Sequence, residues 1–313
     1  MARFVAVVNG VLTVVVLAAA VAALLALGGA RSPRLDILAH FALVYAAVGL
    51  LGAVWSLLAG RGPVVAAAVL AMAASAFLIA PEFNREAPVA PANARGQIKV
   101  IQINALRSNA DIARVADWLV AQHPDIVTVT EARPDLRDLL VEKTGWKTAG
   151  SHGDLIIFTP KRYLRMNRPR ISPQSQLTFV NGTYANAGGP IEIVTTHLAW
   201  PTEAETQLQQ AELATVVARL PRQRMILTGD FNAAPWSFEM RRLDASLGGL
   251  TRRDRGVPSW PAQVAGHRWP LPFLPIDHVY AGPGWATVKV ERGPWLGSDH
   301  YPLVVTLAPV ALR

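Results

Sequence analysis

Three long apolar runs occupy the first 80 residues and constrain this chain more than any other feature. They extend from Phe4 to Leu27, from Ile37 to Ala59 and from Pro63 to Ala80. A helix that crosses a bilayer needs about 20 apolar residues, within a range of about 17 to 25, and each run meets that length. The sequence therefore predicts three transmembrane helices, with residues 1–80 as a membrane anchor.

The first run has an alternative interpretation as a cleaved signal peptide, with Gly28-Gly29-Ala30 as the cleavage site. Signal peptides usually have an apolar stretch of about 7 to 15 residues, which is shorter than Phe4–Leu27. The alternative for the third run is a helix buried in a protein core. Three spans remain the simplest interpretation, because the first 80 residues carry only four arginines and one aspartate as charged residues.

The arginines beside the runs do not fix which side of the membrane carries the rest of the chain. Further arginines after the third run favour a cytoplasmic domain, but long domains cross a membrane largely regardless of charge. We expect a multi-pass protein of the inner cell membrane with its large domain on the extracytoplasmic side. The charges beside the runs are balanced, Arg3 and Arg61 against Arg31 and Arg34.

Composition excludes some chemistries and leaves others open. The chain contains no cysteine, which excludes disulfides, thiolate metal sites and cysteine nucleophiles. The net charge is +8, and the part beyond residue 80 contains 26 basic and 21 acidic residues, a net charge of +5. An excess of this size suits an anionic substrate or a lipid headgroup surface, and it is equally typical of solvated surface charge.

Beyond the apolar runs, the pattern predicts a linker and then one domain. Pro81 to Gln97 has several prolines and no apolar period, so it is expected to be an extended tether. From Ile98 to Arg313, short apolar strands alternate with helices. Asn109 is expected to cap one helix, and Thr202–Leu220 is expected to form another. Residues 251–275 have no period and are typical of a functional or disordered segment.

Six apolar strands in this domain share one feature, a polar side chain at or just past one end. Because the ends of neighbouring strands meet at one edge of a sheet, we expect these side chains to converge on one rim. Carboxylate and amide oxygens are the ligands of Mg²⁺ or Mn²⁺, whereas zinc would draw on more histidine. The residues are Asn104, Glu131, His197, Asp230 with Asn232, Asp277, and Asp299 with His300.

These residues lie in short motifs that resemble, in order and spacing, the endonuclease/exonuclease/phosphatase superfamily. This superfamily includes deoxyribonuclease I, abasic-site endonucleases, inositol polyphosphate phosphatases and neutral sphingomyelinases. The resemblance extends from about Ile98 to the end of the chain. The motifs are Gln102-Ile103-Asn104, Thr130-Glu131-Ala132, Thr196-His197-Leu198, Gly229-Asp230-Phe231-Asn232, Ile276-Asp277-His278-Val279 and Ser298-Asp299-His300, of which Gly-Asp-Phe-Asn and Ser-Asp-His are the most specific.

The resemblance implies a fold and a reaction. The fold would be α/β (α+β), a four-layered α/β/β/α sandwich of two mostly antiparallel sheets, here preceded by three transmembrane helices. The reaction would be hydrolysis of a phosphoester by direct attack of water with a divalent cation. Glu131 would be the principal ligand of Mg²⁺ (or Mn²⁺), and Asn104 and Asp299 would help to hold the ion.

The resemblance also assigns roles to the other rim residues. Asp230 would orient or deprotonate the attacking water, and Asn232 would hold that water and a phosphate oxygen. His300 would contact the phosphoryl oxygens while Asp277 holds its ring, a pairing that fixes the imidazole tautomer. His197 would lie near the leaving group or the scissile phosphate.

Four further residues are expected to bind substrate. Trp200 and Trp236 closely follow rim residues and border prolines, so they line the pocket or pack in the core. Arg252 and Arg253 belong to the irregular segment and would contact lipid headgroups or phosphates.

Two enzymatic functions and one non-enzymatic function fit these observations. The first is a membrane-anchored phosphodiesterase or phosphatase that acts on a lipid-linked or envelope phosphoester. The second is an endonuclease or exonuclease that acts on DNA or RNA, with strongly salt-dependent binding. The third, a scaffold with a decayed site, is disfavoured because no expected catalytic position is replaced.

Overall fold

The computed structural model describes residues 1–150, 154–167, 175–202 and 205–310, and the chain divides into two compact units. The first, which we call the helical unit, consists of Met1–Arg85 and a later segment, Ala233–Arg241. The second, the sheet unit, consists of Glu86–Asn232 and the chain from Arg242 onward. The predicted rim residues all belong to the sheet unit.

Apolar helices build the helical unit, and small residues let them approach closely. A Cβ on Gly49 would lie 2.9 Å from Ala68 O, so α3 and α4 meet where a side chain is missing, as is common in membrane bundles. The helices are α1 (Ala2–Ala26), α2 (Pro33–Ala39), α3 (Ala42–Leu58) and α4 (Gly62–Asn84), with a 3-10 turn at Leu27–Ala30.

The membrane prediction is confirmed only in its coarse form. Two helical segments, Arg3–Ala30 and Gly62–Asn84, are long and apolar enough to span a membrane. The second predicted span, Ile37–Ala59, is not one helix, because α2 and α3 are separate and bent by 53°. A third span exists only if this bent pair is counted as one. The predicted tether also begins too early, since α4 continues through Pro81 to Asn84.

The sheet unit contains two six-stranded sheets that pack face to face. The first has the strand order β13-β14-β1-β2-β4-β3, and the second β5-β6-β7-β8-β12-β9. The strands are β1 (Ile98–Asn104), β2 (Ile126–Thr130), β3 (Lys147–Ala149), β4 (Ile156–Thr159), β5 (Tyr163–Asn167), β6 (Thr178–Tyr184), β7 (Ile191–His197), β8 (Met225–Asp230), β9 (Thr251–Arg252), β10 (Gln263–Val264), β11 (His267–Arg268), β12 (Asp277–Ala281), β13 (Trp285–Arg292) and β14 (Leu303–Pro309).

Burial on both faces explains why these strands are nearly continuous apolar runs. Val100 of β1 and Ile226 of β8 belong to the core between the sheets, whereas Ile101 and Ile103 face the helices on the outside of the first sheet. The described pairs β1–β2 and β7–β8 are parallel and the others antiparallel, so the predicted sandwich of mostly antiparallel sheets is confirmed. The remaining helices are α5 (Ile112–Ala121), α6 (Pro134–Thr144), α7 (Thr206–Ala218) and α8 (Phe238–Ser246).

Two local predictions need correction. Asp111, not Asn109, caps α5, because its side chain accepts a hydrogen bond from Arg114 N, and Asn109 instead donates to Leu296 O. The segment after Arg85 is not a free tether throughout, since Val89 forms a β-bridge with Thr287. Of the helix predicted over Thr202–Leu220, residues 203 and 204 lie outside the described residues, and α7 accounts for Thr206–Ala218.

Candidate active site

The register of the first sheet brings four predicted residues to one edge. β1 and β2 run parallel, with Asn104 beside Thr130, so Glu131 emerges next to Asn104. β14 runs antiparallel to β1 and begins at Leu303 beside Gln102, so the segment that precedes it, Asp299 and His300 included, returns to the same edge.

The second sheet brings three more residues together in the same way. His197 ends β7 beside Asp230, the last residue of the parallel strand β8. Asp277 begins β12 directly opposite Asp230, because β12 is antiparallel to β8. Asp230 therefore has a predicted site residue on each side.

The backbone turns sharply at the two points where the polar residues leave their strands. Glu131 has φ +50° and Asn232 has φ +52°, a left-handed conformation that is unfavourable for residues other than glycine. Gly229, just before Asp230, lies so close to β7 that a Cβ would overlap Thr196 O. Glycine at this position therefore allows His197 and Asp230 to lie side by side.

Replacing Gly229 by alanine should force β7 and β8 apart. We expect Gly229→Ala to lower the free energy of unfolding by about 1–3 kcal/mol, because the clash is with backbone and cannot be relieved by a side-chain rotation. Urea denaturation of the purified full chain would measure it. Gly62→Ala is a suitable control, because a Cβ there has no atom within 4 Å and the backbone of Gly62 is not in the left-handed region; equal losses in the two variants would contradict the packing explanation.

Asn104 links the two sheets at the rim. Its Nδ2 donates to Glu131 Oε1 at 2.9 Å and to Asp230 Oδ2 at 3.0 Å, while its Oδ1 accepts from Leu106 N at 3.0 Å. Ser298 Oγ donates to the Asn104 carbonyl at 2.7 Å. Asn104 thus holds two carboxylates near one another without contributing charge.

His300 and Asp277 form a buried carboxylate–imidazole pair. His300 Nδ1 donates to Asp277 Oδ2 at 2.7 Å, and the other Asp277 oxygen accepts from Gln102 Nε2 at 3.4 Å. Burial alone would lower the pKa of His300, but the charges of Asp277 and Asp230 and the hydrogen bond to Asp277 raise it to about 10. His300 is therefore protonated at neutral pH, with Nε2 3.6 Å from Asp230 Oδ2.

Asp230 lies at the centre of the cluster. Its Oδ1 accepts from Asn232 N at 2.9 Å, and its Oδ2 lies 3.7 Å from His197 Nε2. Burial, the largest effect, raises the pKa of Asp230, and the negative charge of Asp277 acts in the same direction against His300, His197 and Asn104. A carboxylate with a raised pKa accepts a proton more readily than an exposed one.

Glu131 differs from Asp230 in its environment. Its partial burial would raise its pKa, but hydrogen bonds from Asn104 Nδ2 and Arg107 N, with the charges of His197 and His300, lower the pKa instead. Glu131 thus stays ionised to lower pH, and it is partly buried and lines the cavity. The two carboxylates have opposite pKa shifts, which is typical of sites where they have different roles.

These residues surround a cavity of 470 Å³. The rings of Trp200 and Trp260 meet edge to face at its wall, with centroids 5.8 Å apart. Trp260 Nε1 donates to Asp299 Oδ2 at 3.2 Å, and Asp299 Oδ1 is buried without a hydrogen-bond partner among the described residues. The cavity is lined by Glu131, His197, Ala199, Trp200, Asp230, Asn232, Trp260, Asp299 and His300.

Three of the predicted substrate-binding residues do not line this cavity. Trp236 is buried in the helical unit, where Nε1 donates to His40 O at 3.3 Å. Arg252 is buried against Asp244 at 2.8 Å, and Arg253 donates to Ala281 O and Gly282 O. We correct these predictions: Trp236 lies in the helical unit, and the two guanidinium groups are buried with partners inside the sheet unit, so that none of the three residues lines this cavity.

Two residues of the site were not predicted from the sequence: Trp260, which lines the cavity, and Gln102, which supports the rim from behind. Trp260 belongs to the irregular segment, but nothing in its neighbours singles it out. Gln102 was noticed only as part of a motif, yet it accepts from Thr128 Oγ1 at 2.7 Å and so holds its Nε2 towards Asp277. A polar pair on adjacent buried strands was the available signal, because such groups need each other as partners.

Comparison with known proteins gives a consistent result. The profile of a family described as "Endonuclease/Exonuclease/phosphatase family" matches residues 92–300. No curated protein matches the chain. Similar solved structures include an endonuclease/exonuclease/phosphatase from Bacteroides vulgatus, with 13% identity, 69% of this chain and 100% of that chain covered, and a TM-score of 0.56.

Two further structures have the same fold at similarly low identity. TDP2 from D. rerio, complexed with a single-strand DNA product, has 16% identity, with 68% of this chain and 99% of that chain covered and a TM-score of 0.54. A mannosyl-6-phosphatase of Bacteroides thetaiotaomicron has 15% identity, with 67% and 99% covered and a TM-score of 0.54. At such identities the likeness shows the fold alone.

Proposed function

We propose, from the premise that this chain belongs to the endonuclease/exonuclease/phosphatase family, that it is a membrane-anchored, divalent-metal-dependent phosphoester hydrolase. The observation that carries the proposal is the convergence of three pairs on one cavity: Asn104 with Glu131, Asp230 with Asn232, and Asp277 with His300. Hydrolysis of a phosphoester needs charge neutralisation, a positioned water and help for the leaving oxygen, and these groups are chemically suited to those tasks.

The residues present fit a hard cation such as Mg²⁺ or Mn²⁺. We assign its site to Asn104, Glu131 and Asp299, because the lowered pKa of Glu131 keeps it ionised and the buried Asp299 Oδ1 lacks a hydrogen-bond donor among the described residues. When bound, such an ion neutralises charge on the phosphate oxygens.

Another trio also has the composition of a metal site. Ligand-type atoms of Asp230, Asp277 and His300 lie within 4.8 Å of one another. His300 Nδ1 already donates to Asp277, and the raised pKa keeps the ring protonated, so this imidazole has no lone pair to offer at neutral pH. We therefore assign the trio to proton and phosphate chemistry rather than to the ion.

The chain's own residues would carry out the attack of water on phosphorus. Asp230 would take a proton from the attacking water. The water oxygen would form a bond to phosphorus while the bond between phosphorus and the leaving oxygen breaks. Asn232 donates through Nδ2 to Leu198 O at 2.8 Å, which orients its amide beside Asp230. His300 would donate through Nε2 to a phosphoryl oxygen, and His197, which lines the same cavity, would lie near the leaving oxygen.

We further propose that the phosphoester is lipid-linked. The segment made of the β10–β11 hairpin and the residues just after it exposes apolar side chains: Val264, Trp269 and Leu271 are 52%, 41% and 71% exposed. It is tied to the cavity wall, since Ala262 N donates to Asp299 O at 2.6 Å. Exposed apolar residues with a tryptophan are typical of a surface that contacts lipid, and the same chain contains bilayer-length helices.

Removing the exposed apolar groups should reduce turnover of lipid substrates selectively. We expect Leu271→Ser with Trp269→Ala to lower hydrolysis of a phospholipid in vesicles about a hundredfold or more, since each of the two apolar side chains contributes about 1.5–3 kcal/mol when buried and about 1.4 kcal/mol corresponds to tenfold. Hydrolysis of water-soluble bis(p-nitrophenyl) phosphate should be unchanged. Leu208→Ser, at a half-exposed leucine of α7, is the control; equal losses on both substrates would contradict lipid contact.

A nuclease is the second candidate function. The edge-to-face pair of Trp200 and Trp260 at the cavity offers a surface on which a base stacks, and the similar TDP2 structure contains single-strand DNA. Against it, the buried Arg252 and Arg253 do not provide the phosphate contacts expected from the sequence.

One experiment separates the two functions. The full chain in nanodiscs would be assayed with phospholipid, a phosphomonoester panel, plasmid DNA and RNA, over a Mg²⁺ titration and after EDTA treatment. We expect Mg²⁺-dependent release of a headgroup or phosphate from the lipid, lost on chelation and in Glu131→Gln. Plasmid nicking without lipid turnover would establish the nuclease instead, and no turnover of any substrate would overturn the hydrolase.

The side of the membrane is also a proposal. We place the sheet unit on the extracytoplasmic side of the inner membrane. Because the chain contains no cysteine, a single cysteine introduced at exposed Leu271 would be its only thiol. A membrane-impermeant maleimide should label it in intact cells, whereas labelling only after lysis would place the unit in the cytoplasm.

A further inference from the structure

Within the sheet unit, the irregular segment 259–262 runs beside the residues that precede β14. Ala262 N donates to Asp299 O at 2.6 Å, and Tyr301 N donates to Ser259 O at 2.9 Å. These two backbone hydrogen bonds attach the segment to the stretch of chain that carries the predicted metal ligand Asp299. The position of one is therefore tied to the position of the other.

The backbone and the ring of Trp260, inside this segment, are both held in place. Trp260 N donates to Leu274 O at 3.0 Å, and Leu274 N donates back to Trp260 O at 2.8 Å, which forms an isolated β-bridge. The ring makes edge-to-face contacts with Trp200 and Phe273, at centroid distances of 5.8 and 6.3 Å. Because a closely packed ring has few rotamers available, the direction of its N–H group is fixed.

The two carboxylate oxygens of Asp299 have different surroundings. Oδ2 accepts a hydrogen bond from Trp260 Nε1 at 3.2 Å, whereas Oδ1 is buried without a hydrogen-bond partner among the residues that the structure describes. A buried carboxylate oxygen without a donor is costly unless a positive group binds it. The protein thus binds one oxygen and leaves the other for a cation.

The hydrogen bond is a property of Trp260 that its place in the cavity wall does not require. Trp200 and Trp260 both line the cavity, and a phenylalanine ring would provide a similar apolar wall. Only tryptophan combines a large ring with an N–H donor and no acceptor, so it satisfies a carboxylate oxygen without competing for a cation.

We propose that Trp260 is a positioning residue for the divalent cation and acts through Asp299, because its indole N–H orients the carboxylate so that Oδ1 stays available to the ion. The proposal rests on the proposed function for the metal site and extends that site to a residue that is not a ligand. Groups that hydrogen-bond a metal ligand typically change metal affinity or activity about 10–100-fold when they are lost. The role should therefore be visible in metal binding itself.

The test measures Mn²⁺ binding to the full chain in phosphatidylcholine nanodiscs by electron paramagnetic resonance, with empty nanodiscs as the blank. Trp260→Phe keeps an aromatic ring and removes the N–H group, and it should raise the Kd for Mn²⁺ about tenfold. The Mn²⁺ concentration that gives half-maximal hydrolysis of bis(p-nitrophenyl) phosphate should rise by the same factor. An unchanged Kd would overturn the proposal.

Trp295→Phe is the matched control. Trp295 Nε1 donates to Ser298 O at 2.8 Å, so this variant removes an indole hydrogen bond to the same stretch of chain without touching the Asp299 carboxylate. Ser298 keeps its other bonds, since its Oγ donates to Asn104 O and accepts from His300 N. The Kd of the control should stay within about twofold of wild type, and a rise equal to that of Trp260→Phe would contradict the assigned role.

A double-mutant cycle with Asp299→Ala separates positioning from packing in the cavity wall. If the indole acts only through the carboxylate, Trp260→Phe should change the Kd by less than about twofold once Asp299 is alanine, because residues that act as a unit are not additive. Glu131 and Asn104 remain as ligands in that background, so Mn²⁺ binding stays measurable. A further tenfold rise would assign the effect to packing and overturn the proposal.

Phe273→Leu provides a second variant if Trp260→Phe does not fold. It removes one of the two rings that hold the indole, and it should raise the Kd for Mn²⁺ in the same direction by a smaller factor. An unchanged Kd in this variant would count against the proposal in the same way. A wild-type protein that binds Mn²⁺ but hydrolyses no phosphoester would contradict the proposed function, while the Kd values still tested the role of Trp260.

Discussion

Asp230→Asn is expected to lower kcat about a thousandfold with a small change in KM. Asparagine keeps the shape of the side chain and one acceptor for Asn232 N, but it cannot accept a proton from water. General base catalysis contributes about 10²–10⁴-fold to rate, and burial has raised the pKa of this carboxylate towards the range where it acts best. Steady-state kinetics at saturating Mg²⁺ would measure the loss.

The control for Asp230→Asn is Asp117→Asn. Asp117 is an exposed carboxylate on α5 whose partner is Lys143 at 2.7 Å, and such surface pairs contribute about 0–1 kcal/mol. The control variant should retain wild-type kcat. A value of kcat in Asp230→Asn within threefold of wild type would exclude Asp230 as the base.

Stability gives an independent check on Asp230→Asn. The variant loses an acceptor for Asn104 Nδ2, which costs about 1–3 kcal/mol for a buried group left unpaired. It also removes a buried negative charge next to Asp277, which offsets part of that cost. We therefore expect a folded protein with an unfolding free energy within about 2 kcal/mol of wild type, so the kinetic loss is not a folding defect.

The rim was predictable from sequence because each of its residues is the polar end of a buried strand. Asn104, His197 and Asp230 each terminate an apolar run, and the register between neighbouring strands brings the ends of these runs to one edge of each sheet. Glu131 follows the same rule, displaced by one residue. What local sequence cannot show is the pairing at the rim, since Asn104 meets Asp230 across 126 residues of chain.

Arg252, Arg253 and Trp236 lie away from the cavity for one physical reason, which is that each side chain is held by partners in the interior. Arg252 and Arg253 look like phosphate ligands because arginine is seldom buried, yet Asp244 and backbone carbonyls satisfy them inside the sheet unit. Trp236 follows the Asp230 motif so closely that a place in the cavity was a natural expectation. Its ring packs in the helical unit instead. Asp36 and His40, which are distant in sequence, determine this position, and no spacing near Trp236 reveals it.

Asp277→Asn is expected to lower kcat/KM at pH 8 by about 10²–10³-fold and to change the pH profile. Asp277 supplies the largest of the charges that raise the pKa of His300, so its removal lets burial lower that pKa from about 10. Donation from Nε2 to phosphate requires the protonated ring. The alkaline fall in activity should therefore occur at lower pH in the variant than in wild type, as measured by kcat/KM between pH 6 and 10.5.

The free energy of unfolding should also depend on the protonation of His300, and it should fall as the pH rises. The folded pKa of His300 lies above its unfolded value of 6.5, so the pair contributes stability that is fully present below pH 6.5 and is lost as pH rises through about 10. Thermal unfolding in EDTA should show this decline in wild type and a weaker one in Asp277→Asn. Asp254→Asn is the matched control. Asp254 accepts a hydrogen bond at 2.9 Å from Nδ1 of the buried His278, which follows Asp277 on β12, and neither Asp254 nor His278 lines the cavity. This variant should cost stability without moving the alkaline limb of kcat/KM, and an equal displacement of that limb in both variants would rule out a specific role for the Asp277–His300 pair.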